Sequence, residues 1–292
     1  MRILLLGQYG QVSQELQRAL HGTGELTVLG RDQLDLAQPE LIRQHVQRLR
    51  PELIINAAAH TAVDQAESEP ELAFAINATA PGTLAEAAAD LGAALIHYST
   101  DYVFDGSYTE PYRESDSTNP LSIYGRSKLA GEQAIQAVGG MHLILRTSWV
   151  YSQHGKNFLL TMQRLLQERE SLSVVDDQIG APTWAGTIAQ TTAQLIEQWR
   201  SGQAGPWGVY HLTAQGETSW CGFASAIAAY LRSQGKSVAT LQPIPSSDYP
   251  TPAQRPLNSR LNCNRLQQDW QVQLPTWQQA LSDCLATQSL HN

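Results

Sequence analysis

The sequence predicts an α/β protein with a Rossmann-like, doubly wound parallel sheet and a smaller C-terminal domain. Short apolar runs alternate with longer segments of helical periodicity over the first half of the chain. These apolar runs are continuous rather than alternating with polar residues, which is typical of parallel strands covered on both faces. The length of 292 residues fits such a sheet together with a companion domain.

The individual elements follow from periodicity and from glycine and proline positions. In the first half, we predict strands at 3–6, 26–29, 53–58, 93–98 and 143–150, and helices at 11–20, 41–49 and 71–91. In the second half, we predict helices at 157–168, 185–199 and 219–233, and strands at 172–175 and 209–212. The segment 249–256 contains three prolines and is expected to be a loop or extended. A domain boundary is expected near residue 150, giving domains 1–150 and 151–292, with some later segments returning to the first.

Composition excludes several classes of protein. Hydrophobic residues make up 42% and charged residues 16%, which allows a sizeable core. The net charge of −8 disfavours non-specific nucleic-acid binding, because that requires clustered lysine and arginine. The three cysteines, Cys221, Cys263 and Cys284, show no metal or disulfide spacing. No stretch approaches a membrane span or a signal peptide, so we expect a protein of the reducing cytoplasm that does not bind membranes.

A glycine-containing turn follows the first predicted strand. Gly7 and Gly10 allow the backbone to approach a pyrophosphate, and Gln11 and Val12 open the next helix, whose N-terminus favours negative charge. Ser13 stands where a third glycine is expected, and its small side chain still permits close packing. The position of this turn predicts a dinucleotide site.

The end of the second predicted strand bears on the choice of cofactor. An acidic residue here usually binds the ribose 2′-hydroxyl of NAD, but this position holds Gly30 and is followed by Arg31. Arginine pairs well with the 2′-phosphate of NADP, so we predict NADPH, with NADH left open because Asp32 is also in reach. Asp35 and Leu36 are expected beside the adenine.

A catalytic set is predicted after the fourth strand. Thr100 lies at its end, and Tyr124 and Lys128 lie one turn apart on a helix that Asn119 would cap, with Pro120 at its first position. A free tyrosine titrates near pH 10, and a nearby ammonium group stabilises the phenolate and lowers that pKa. This arrangement suits acid–base catalysis.

Motifs along nearly the whole chain resemble those of the extended short-chain dehydrogenase/reductases, and among these the reductases of nucleotide-linked 4-keto sugars. The matching segments are GQYGQV at 7–12, NAAAHTAVD at 56–64, HYSTDYVF at 97–104, Tyr124 with Lys128, RTSWVY at 146–151, DQIGAPT at 177–183 and RPLNSRL at 255–261.

The resemblance implies a reaction and a role for each catalytic residue. Hydride would pass from NADPH or NADH to C4 of a dTDP-sugar while Tyr124 protonates O4. Lys128 would tune Tyr124 and bind the nicotinamide ribose, and Thr100 would hydrogen-bond the keto oxygen. The C-terminal domain would bind the substrate.

The resemblance also implies binding residues beyond this catalytic set. Besides Tyr124 and Lys128, the residues expected to line the cofactor are Ala57, Ala58, Ala59, His60, Thr61 and Tyr98. Residues expected near the substrate, besides Thr100, are Asp101, Trp149, Arg255 and Asn258, with Arg255 suited to the pyrophosphate. The alternatives are a turn cap for Asp101, a core position for Trp149 and a loop at the rim for Arg255 and Asn258.

Some members of the family are thought to dimerise through a magnesium site formed by glutamates. Glu15 matches one of these, but no acidic residue follows Thr183 where a second ligand is expected. We therefore expect no metal, and a homodimer remains an open alternative without a metal bridge. His60, His97 and His211 are interpreted as structural or pocket-lining residues.

Two other activities remain as alternatives. An epimerase would use the same tyrosine and lysine, and the sequence leaves it open. A dehydratase would carry an acid where this chain has Tyr102, which disfavours dehydration. A non-catalytic, nucleotide-binding regulatory subunit is disfavoured by the intact Thr100, Tyr124 and Lys128.

Overall fold

A computed structural model describes residues 1–289 of the chain. The strands are β1 (Arg2–Leu6), β2 (Glu25–Leu29), β3 (Leu53–Asn56), β4 (Ala94–Thr100), β5 (His142–Thr147), β6 (Val150–Tyr151), β7 (Ser171–Val175), β8 (Ile179–Gly180), β9 (Thr183–Trp184), β10 (Gly208–His211), β11 (Thr218–Ser219) and β12 (Thr240–Ile244). The helices are α1 (Gln11–Ala19), α2 (Pro39–Leu49), α3 (Val63–Ala66), α4 (Pro70–Phe74), α5 (Ala80–Leu91), α6 (Ile123–Val138), α7 (Phe158–Glu168), α8 (Ala185–Arg200), α9 (Trp220–Ser233), α10 (Asn264–Trp270) and α11 (Trp277–Ser289).

Six strands form one parallel sheet in the order β10-β5-β4-β3-β1-β2. The order changes direction at β1, with β2 on one side and β3 on the other, so the sheet is doubly wound. Alternate residues of β1 enter different cores: Ile3 and Leu5 pack with α1 and α8, whereas Leu4 and Leu6 pack with α2 and α5. The predicted fold class is confirmed. The strands are apolar along their length because both faces of the sheet are buried, as expected.

The second half of the chain contributes to two parts of the molecule. β10 adds to the edge of the main sheet beside β5, and α8 packs on α1. Helices α7, α9 and α11 bury a separate core that includes Leu159, Phe223 and Ile227. The division into domains at residue 150 remains a prediction. The last three residues of the predicted second domain, 290–292, lie outside the described residues.

The fifth strand and the start of the helix that carries Tyr124 differ from their predictions. The fifth strand ends at Thr147 rather than 150, because Trp149 adopts a left-handed backbone with φ of 49° and Val150 begins a separate short strand. The helix that carries Tyr124 begins at Ile123, and Ser122 caps it by accepting from Gly125 N at 3.1 Å. Asn119 instead donates to Asp105 Oδ2 at 3.0 Å, so the predicted cap is wrong.

Within residues 1–289, no helix has both the length and the apolar character that crossing a bilayer requires.

Candidate active site

The predicted functional residues gather where the carboxyl ends of β1, β3 and β4 meet. Parallel strands bring these ends to one edge of the sheet, and loops there carry the site in doubly wound folds. Gly7 follows β1, Ala57 follows β3, and Thr100 is the last residue of β4. The paired register of β3 and β4 places Asn56 beside His97.

The turn after β1 packs so closely on the loop after β3 that only glycine fits at its first position. Gly7 has a φ of +101°, and a Cβ there would lie 3.0 Å from both Ala57 O and Ala58 N. Gly10 precedes α1, and no side chain caps this helix, so its first N–H groups face the turn. The Ser13 hydroxyl is buried without a partner among the described residues. An uncapped helix N-terminus beside a glycine turn fits a pyrophosphate.

Gln11 and Val12 anchor the start of α1 in different ways. The Gln11 side chain accepts hydrogen bonds from Ser152 Oγ at 3.1 Å and Asn157 Nδ2 at 2.9 Å, which ties the turn to the second half of the chain. Val12 packs against the core beneath the sheet. These contacts fix the orientation of the helix N-terminus.

The segment after β2 places a free cation beside the turn. Arg31 is exposed, and no described side chain forms an ion pair with it. A Cβ on Gly30 would lie 2.6 Å from Asp32 Oδ1 and 2.9 Å from Gln8 Oε1, so a side chain there would displace both. Asp35 Oδ1 accepts from Ala37 N at 3.0 Å.

Leu36 is 7% exposed and packs in the core on the α2 side of the sheet. The Leu36 side chain packs beneath the loop that follows β2. Little of its surface therefore remains for the predicted contact with adenine.

The loop after β3, from Ala57 to Thr61, is held from behind by Asn77. Asn77 Oδ1 accepts from His60 N at 2.8 Å, and Asn77 Nδ2 donates to His60 O at 3.0 Å and Ser127 Oγ at 3.0 Å. Ala57, Ala58 and Ala59 are partly exposed. Nδ1 of His60 is buried without a partner in the part of the chain that the structure describes. This loop fits the predicted role in lining a cofactor.

Thr100, Asp101 and Tyr124 form the polar centre of the site. Thr100 Oγ1 donates to Asp101 Oδ1 at 3.1 Å. Burial raises the pKa of Asp101 to about 6, although hydrogen bonds from Ser259 and Thr100 oppose the rise. Burial likewise raises the pKa of Tyr124 to about 12, opposed by a hydrogen bond with Thr100. Tyr124 is therefore a protonated phenol at neutral pH.

Lys128 is buried one turn after Tyr124 but binds other partners. Its Nζ donates to Tyr98 O at 2.6 Å and lies 3.1 Å from His97 Nε2. Burial lowers the pKa of Lys128 to about 8, while the Glu132 carboxylate one turn further on raises it. The expectation that the ammonium lowers the Tyr124 pKa is not met in this arrangement, since burial dominates and the pKa of Tyr124 rises.

Tyr98 contributes its carbonyl rather than its side chain. Its hydroxyl lies 2.7 Å from Thr192 Oγ1 of α8, and the ring packs in the core on the α1 side of the sheet. The predicted lining of the cofactor by this side chain is therefore not supported, because the ring faces the protein interior.

Trp149 has the unusual backbone that often marks a functional residue. Its left-handed φ of 49° is sterically costly for a tryptophan. Its ring stacks on Trp220 with centroids 3.7 Å apart, and Trp220 Nε1 donates to Gln178 Oε1 at 3.2 Å. A Cβ on Gly180 would lie 2.6 Å from the Trp149 ring, so the glycine makes room for it. The Trp149 ring is half-buried rather than part of the core.

Arg255 and Asn258 both lie on the C-terminal segment, but they differ in how much hydrogen-bonding capacity their side chains have left for a ligand. Arg255 forms a bidentate ion pair with Asp64, at 3.1 and 2.8 Å, and both side chains stay partly exposed. Asn258 Nδ2 donates to Tyr108 O and Glu110 O, and its Oδ1 accepts from the Arg260 backbone and side chain. These bonds leave Asn258 no free donor, so the predicted contact with a nucleotide is not supported.

Glu15 is 8% exposed, and its carboxylate forms an ion pair with Arg18 at 3.1 Å. Among residues 1–289, no group of acidic, histidine and cysteine side chains is arranged to hold a metal.

The sequence did not single out Asn56, Asn77 and Glu132, three polar residues that organise the site, and it gave His97 only a structural or pocket-lining role. Asn56 and His97 face each other across β3 and β4, Asn77 holds the loop after β3, and Glu132 pairs with Arg146 at 2.6 Å beside Lys128. A signal existed for Glu132, since it follows Tyr124 and Lys128 at a spacing of four on one helix face. Asn56 and His97 become neighbours only once the strand order is known.

The glycine turn and the Thr100–Tyr124–Lys128 set lie at one edge of a doubly wound sheet, which defines the class of the extended short-chain dehydrogenase/reductases. The chain belongs to the RmlD substrate binding domain family, whose sequence model matches residues 1–290.

Proteins of this family with closely similar sequences are named dTDP-4-dehydrorhamnose reductases. One from Burkholderia thailandensis is 47% identical over 292 residues, covering 98% of both chains. One from Escherichia coli K12 is 48% identical over 284 residues, covering 95% of both chains.

Solved structures agree with the fold in detail. A dTDP-4-dehydrorhamnose reductase from Bacillus anthracis, solved in complex with NADP, superposes with a TM-score of 0.91 at 36% identity and covers 98% of this chain and 99% of its own. One from Clostridium acetobutylicum has a TM-score of 0.92 at 35% identity, over 99% and 100% of the two chains. A Thermus thermophilus UDP-glucose 4-epimerase, at 20% identity and a TM-score of 0.76, shares the fold alone.

Proposed function

We propose that this protein reduces the C4 keto group of dTDP-4-dehydro-L-rhamnose to the alcohol of dTDP-L-rhamnose, with NADPH as the reductant. The relatives at 47% and 48% identity carry this activity in their names. The observation in the chain itself that carries the proposal is the contact between Thr100 and Tyr124 at the end of β4, on the same edge of the sheet as the glycine turn.

The cofactor supplies the hydride that adds to C4, and the protein supplies the proton. The Thr100 hydroxyl binds the keto oxygen, and the Tyr124 hydroxyl donates its proton to O4. A pKa of about 12 keeps Tyr124 in the protonated form that a general acid needs at the start of the reaction. Lys128, one turn along α6, is the residue expected to hold the nicotinamide ribose.

Arg31 supports NADPH over NADH. The guanidinium is exposed and unpaired beside the end of β2, among the described residues, so it is free to bind a 2′-phosphate in a bidentate manner. At the position where NAD-binding proteins of this fold usually carry an acidic residue, this chain has Gly30.

Trp149 and Arg255 support a dTDP-sugar as the substrate. The half-buried Trp149 ring, held by Trp220 and Gly180, offers an apolar face to a deoxysugar. Arg255 is partly exposed although paired with Asp64, and a guanidinium there suits a diphosphate.

The proposal is tested by absorbance at 340 nm, with the purified protein, dTDP-4-dehydro-L-rhamnose and either NADPH or NADH. We expect oxidation that depends on the substrate, faster with NADPH, and one dTDP-L-rhamnose formed per NADPH consumed. Interconversion of the keto-sugar without net oxidation would instead favour an epimerase. Absence of any turnover by folded protein that binds NADPH would overturn the assignment.

A further inference from the structure

A buried chain of hydrogen-bonding groups runs from Lys128 to the loop that follows β3. Lys128 Nζ lies 3.1 Å from His97 Nε2, and His97 Nδ1 lies 3.1 Å from Asn56 Nδ2. Asn56 Oδ1 accepts from Ala58 N at 3.2 Å. The side chains of Asn56, His97 and Lys128 are each 1% exposed, so no bulk water substitutes for these partners.

The orientation of Asn56 assigns the proton on His97. The Ala58 N–H requires an acceptor, which places Asn56 Oδ1 toward the loop and turns the Asn56 amide donor toward His97 Nδ1. His97 Nδ1 must therefore accept. Burial, and secondarily Lys128, hold the pKa of His97 well below its usual value, so the ring is neutral and carries its proton on Nε2.

A proton on His97 Nε2 is compatible with only one charge state of Lys128. A neutral amine accepts this proton, and every group in the chain is then satisfied. An ammonium has three donors and no acceptor, so one of its protons would point at the proton on His97 Nε2 and no hydrogen bond would form. The charged form requires His97 to move its proton to Nδ1 and Asn56 to rotate its oxygen toward the ring, which takes the acceptor away from Ala58 N.

A comparison of the bonds decides which arrangement the charged form adopts. A hydrogen bond donated by an ammonium is about twice as strong as one between neutral groups, so the bond from Lys128 to His97 outweighs the bond from Ala58 to Asn56. Other ionisable groups near Lys128 are Tyr124 and Glu132 on α6, Asp101 after β4, and Arg146 on β5, which is bound to Glu132. The acidic residues of the helices packed on α6 are exposed or paired: Asp64, Glu71, Glu86 and Asp90. None of these replaces the acceptor that Nδ1 requires.

We propose that Asn56 and His97 couple the charge of Lys128 to the backbone N–H of Ala58, through a tautomer switch of His97 and a rotation of the Asn56 amide. When Lys128 is neutral, Asn56 Oδ1 accepts from Ala58 N–H; when Lys128 is charged, the rotated amide takes this acceptor away. Loss of a proton from Lys128 and the hydrogen bond from Ala58 N–H to Asn56 therefore promote each other. Asn56 and His97 are positioning residues in this account. Its catalytic consequence depends on the proposed function, whereas the coupling itself does not.

The coupling is tested without substrate or cofactor by ¹⁵N NMR of the histidine rings of the intact protein between about pH 6 and 10. We expect the His97 proton to lie on Nδ1 at low pH and on Nε2 at high pH, with a midpoint near the Lys128 pKa of about 8. His97→Gln assigns the signal, and His21→Gln, at an exposed position, is the control that leaves it in place. A single tautomer throughout, or a ring protonated on both nitrogens, would overturn the proposal.

Asn56→Asp provides a second, independent test. A carboxylate accepts from both Ala58 N and His97 Nδ1 at once, so we expect His97 to keep its proton on Nδ1 at every pH. In the NADPH assay, the apparent pKa for loss of kcat at alkaline pH should then rise by at least about one unit. A tautomer switch that persists in this variant contradicts the coupling. A missing NADPH activity beside an intact switch in the wild type would contradict only the proposed function.

Discussion

In the proposed function, the preference between the two nicotinamide cofactors depends on Arg31. It is exposed, and no described side chain pairs with it, so its loss should remove a charge-assisted bond to the 2′-phosphate and little else. Such bonds contribute about 1.5–3 kcal/mol, so Arg31→Ala should raise the KM for NADPH roughly 10- to 100-fold and leave the KM for NADH unchanged. Steady-state kinetics with both cofactors measures this, with Arg48→Ala on α2 as the exposed arginine control. Equal effects on both cofactors would contradict the role of Arg31.

Asp101 gives the stability of the protein a specific dependence on pH. Its folded-state pKa of about 6 lies above the ordinary value of 3.8, so the folded state favours the protonated form. This contribution is fully present below about pH 4 and is lost as the pH rises through 6. Asp101→Asn removes the dependence, so from pH 4 to 8 the variant should gain up to about 3 kcal/mol in unfolding free energy relative to wild type.

Urea unfolding of both proteins at several pH values measures the difference. Asp90→Asn, an exposed site on α5, is the control and should show no such trend. A difference between Asp101→Asn and wild type that does not vary with pH would mean that Asp101 titrates normally.

The turn between β1 and α1 depends on glycine for both its backbone conformation and its space. Gly7 combines a φ of +101° with backbone atoms 3.0 Å from any Cβ, whereas Gly22 has a φ of +80° with nothing within 4 Å. Gly22→Ala should therefore cost about 1 kcal/mol of unfolding free energy and leave NADPH binding intact. Gly7→Ala should cost more and weaken NADPH binding at least about tenfold, because Ala57 and Ala58 must move.

Fluorescence titration with NADPH and urea unfolding are applied to both alanine variants. Together they distinguish the effect of backbone strain from the effect of a collision between the new Cβ and its neighbours. A cofactor affinity that falls equally in Gly22→Ala and Gly7→Ala would show that the turn is not the binding element.

Elements were predictable where one local pattern decided them. The strands of the sheet follow from apolar runs, and helix α6 follows from its spacing, but its start does not. Asn119 and Ser122 are both good caps by residue type. Asp105, which binds the Asn119 amide at 3.0 Å, decides between them, and this contact spans 14 residues. A local pattern carries no information about it.

The long predicted helix at 71–91 contains an interruption that the sequence explains in hindsight. Pro81 has no N–H to donate to Asn77 O, and the chain forms a π-helical turn over Ala75–Thr79 just before it. Asn77 lies in this turn and holds the loop at His60. Proline is normally interpreted as a helix boundary, so its use to position a site residue could not be inferred from the pattern alone.

At the scale of the whole molecule, the site is closed by contacts between distant parts of the chain. Arg255 binds Asp64 at 2.8 Å across 191 residues, and Gln11 binds Asn157 at 2.9 Å across 146 residues. The sequence resemblance brought Arg255 to attention, but Asp64 and Asn157 were not predicted as partners. Such pairs depend on how the second half folds over the sheet edge, which periodicity does not encode.

Arg255 should affect the substrate and not the cofactor. We expect Arg255→Ala to raise the KM for the dTDP-sugar roughly 10- to 100-fold, as loss of a charge-assisted pair does, and to leave the Kd for NADPH unchanged. Stability should fall by less than about 1 kcal/mol, since the ion pair with Asp64 is partly exposed. Arg164→Ala, which breaks the exposed pair with Glu168, is the matched control. An unchanged substrate KM would assign Arg255 to the fold alone.

Tyr124→Phe removes the proton donor that the proposed reductase requires and keeps the aromatic ring. The measurement is the rate of NADPH oxidation at 340 nm with saturating dTDP-4-dehydro-L-rhamnose, together with the Kd for NADPH. We expect a Kd within about twofold of wild type and a rate reduced roughly 10²- to 10⁴-fold, because only the proton donor is lost. A rate within about tenfold of wild type would contradict the assignment of Tyr124 as the acid.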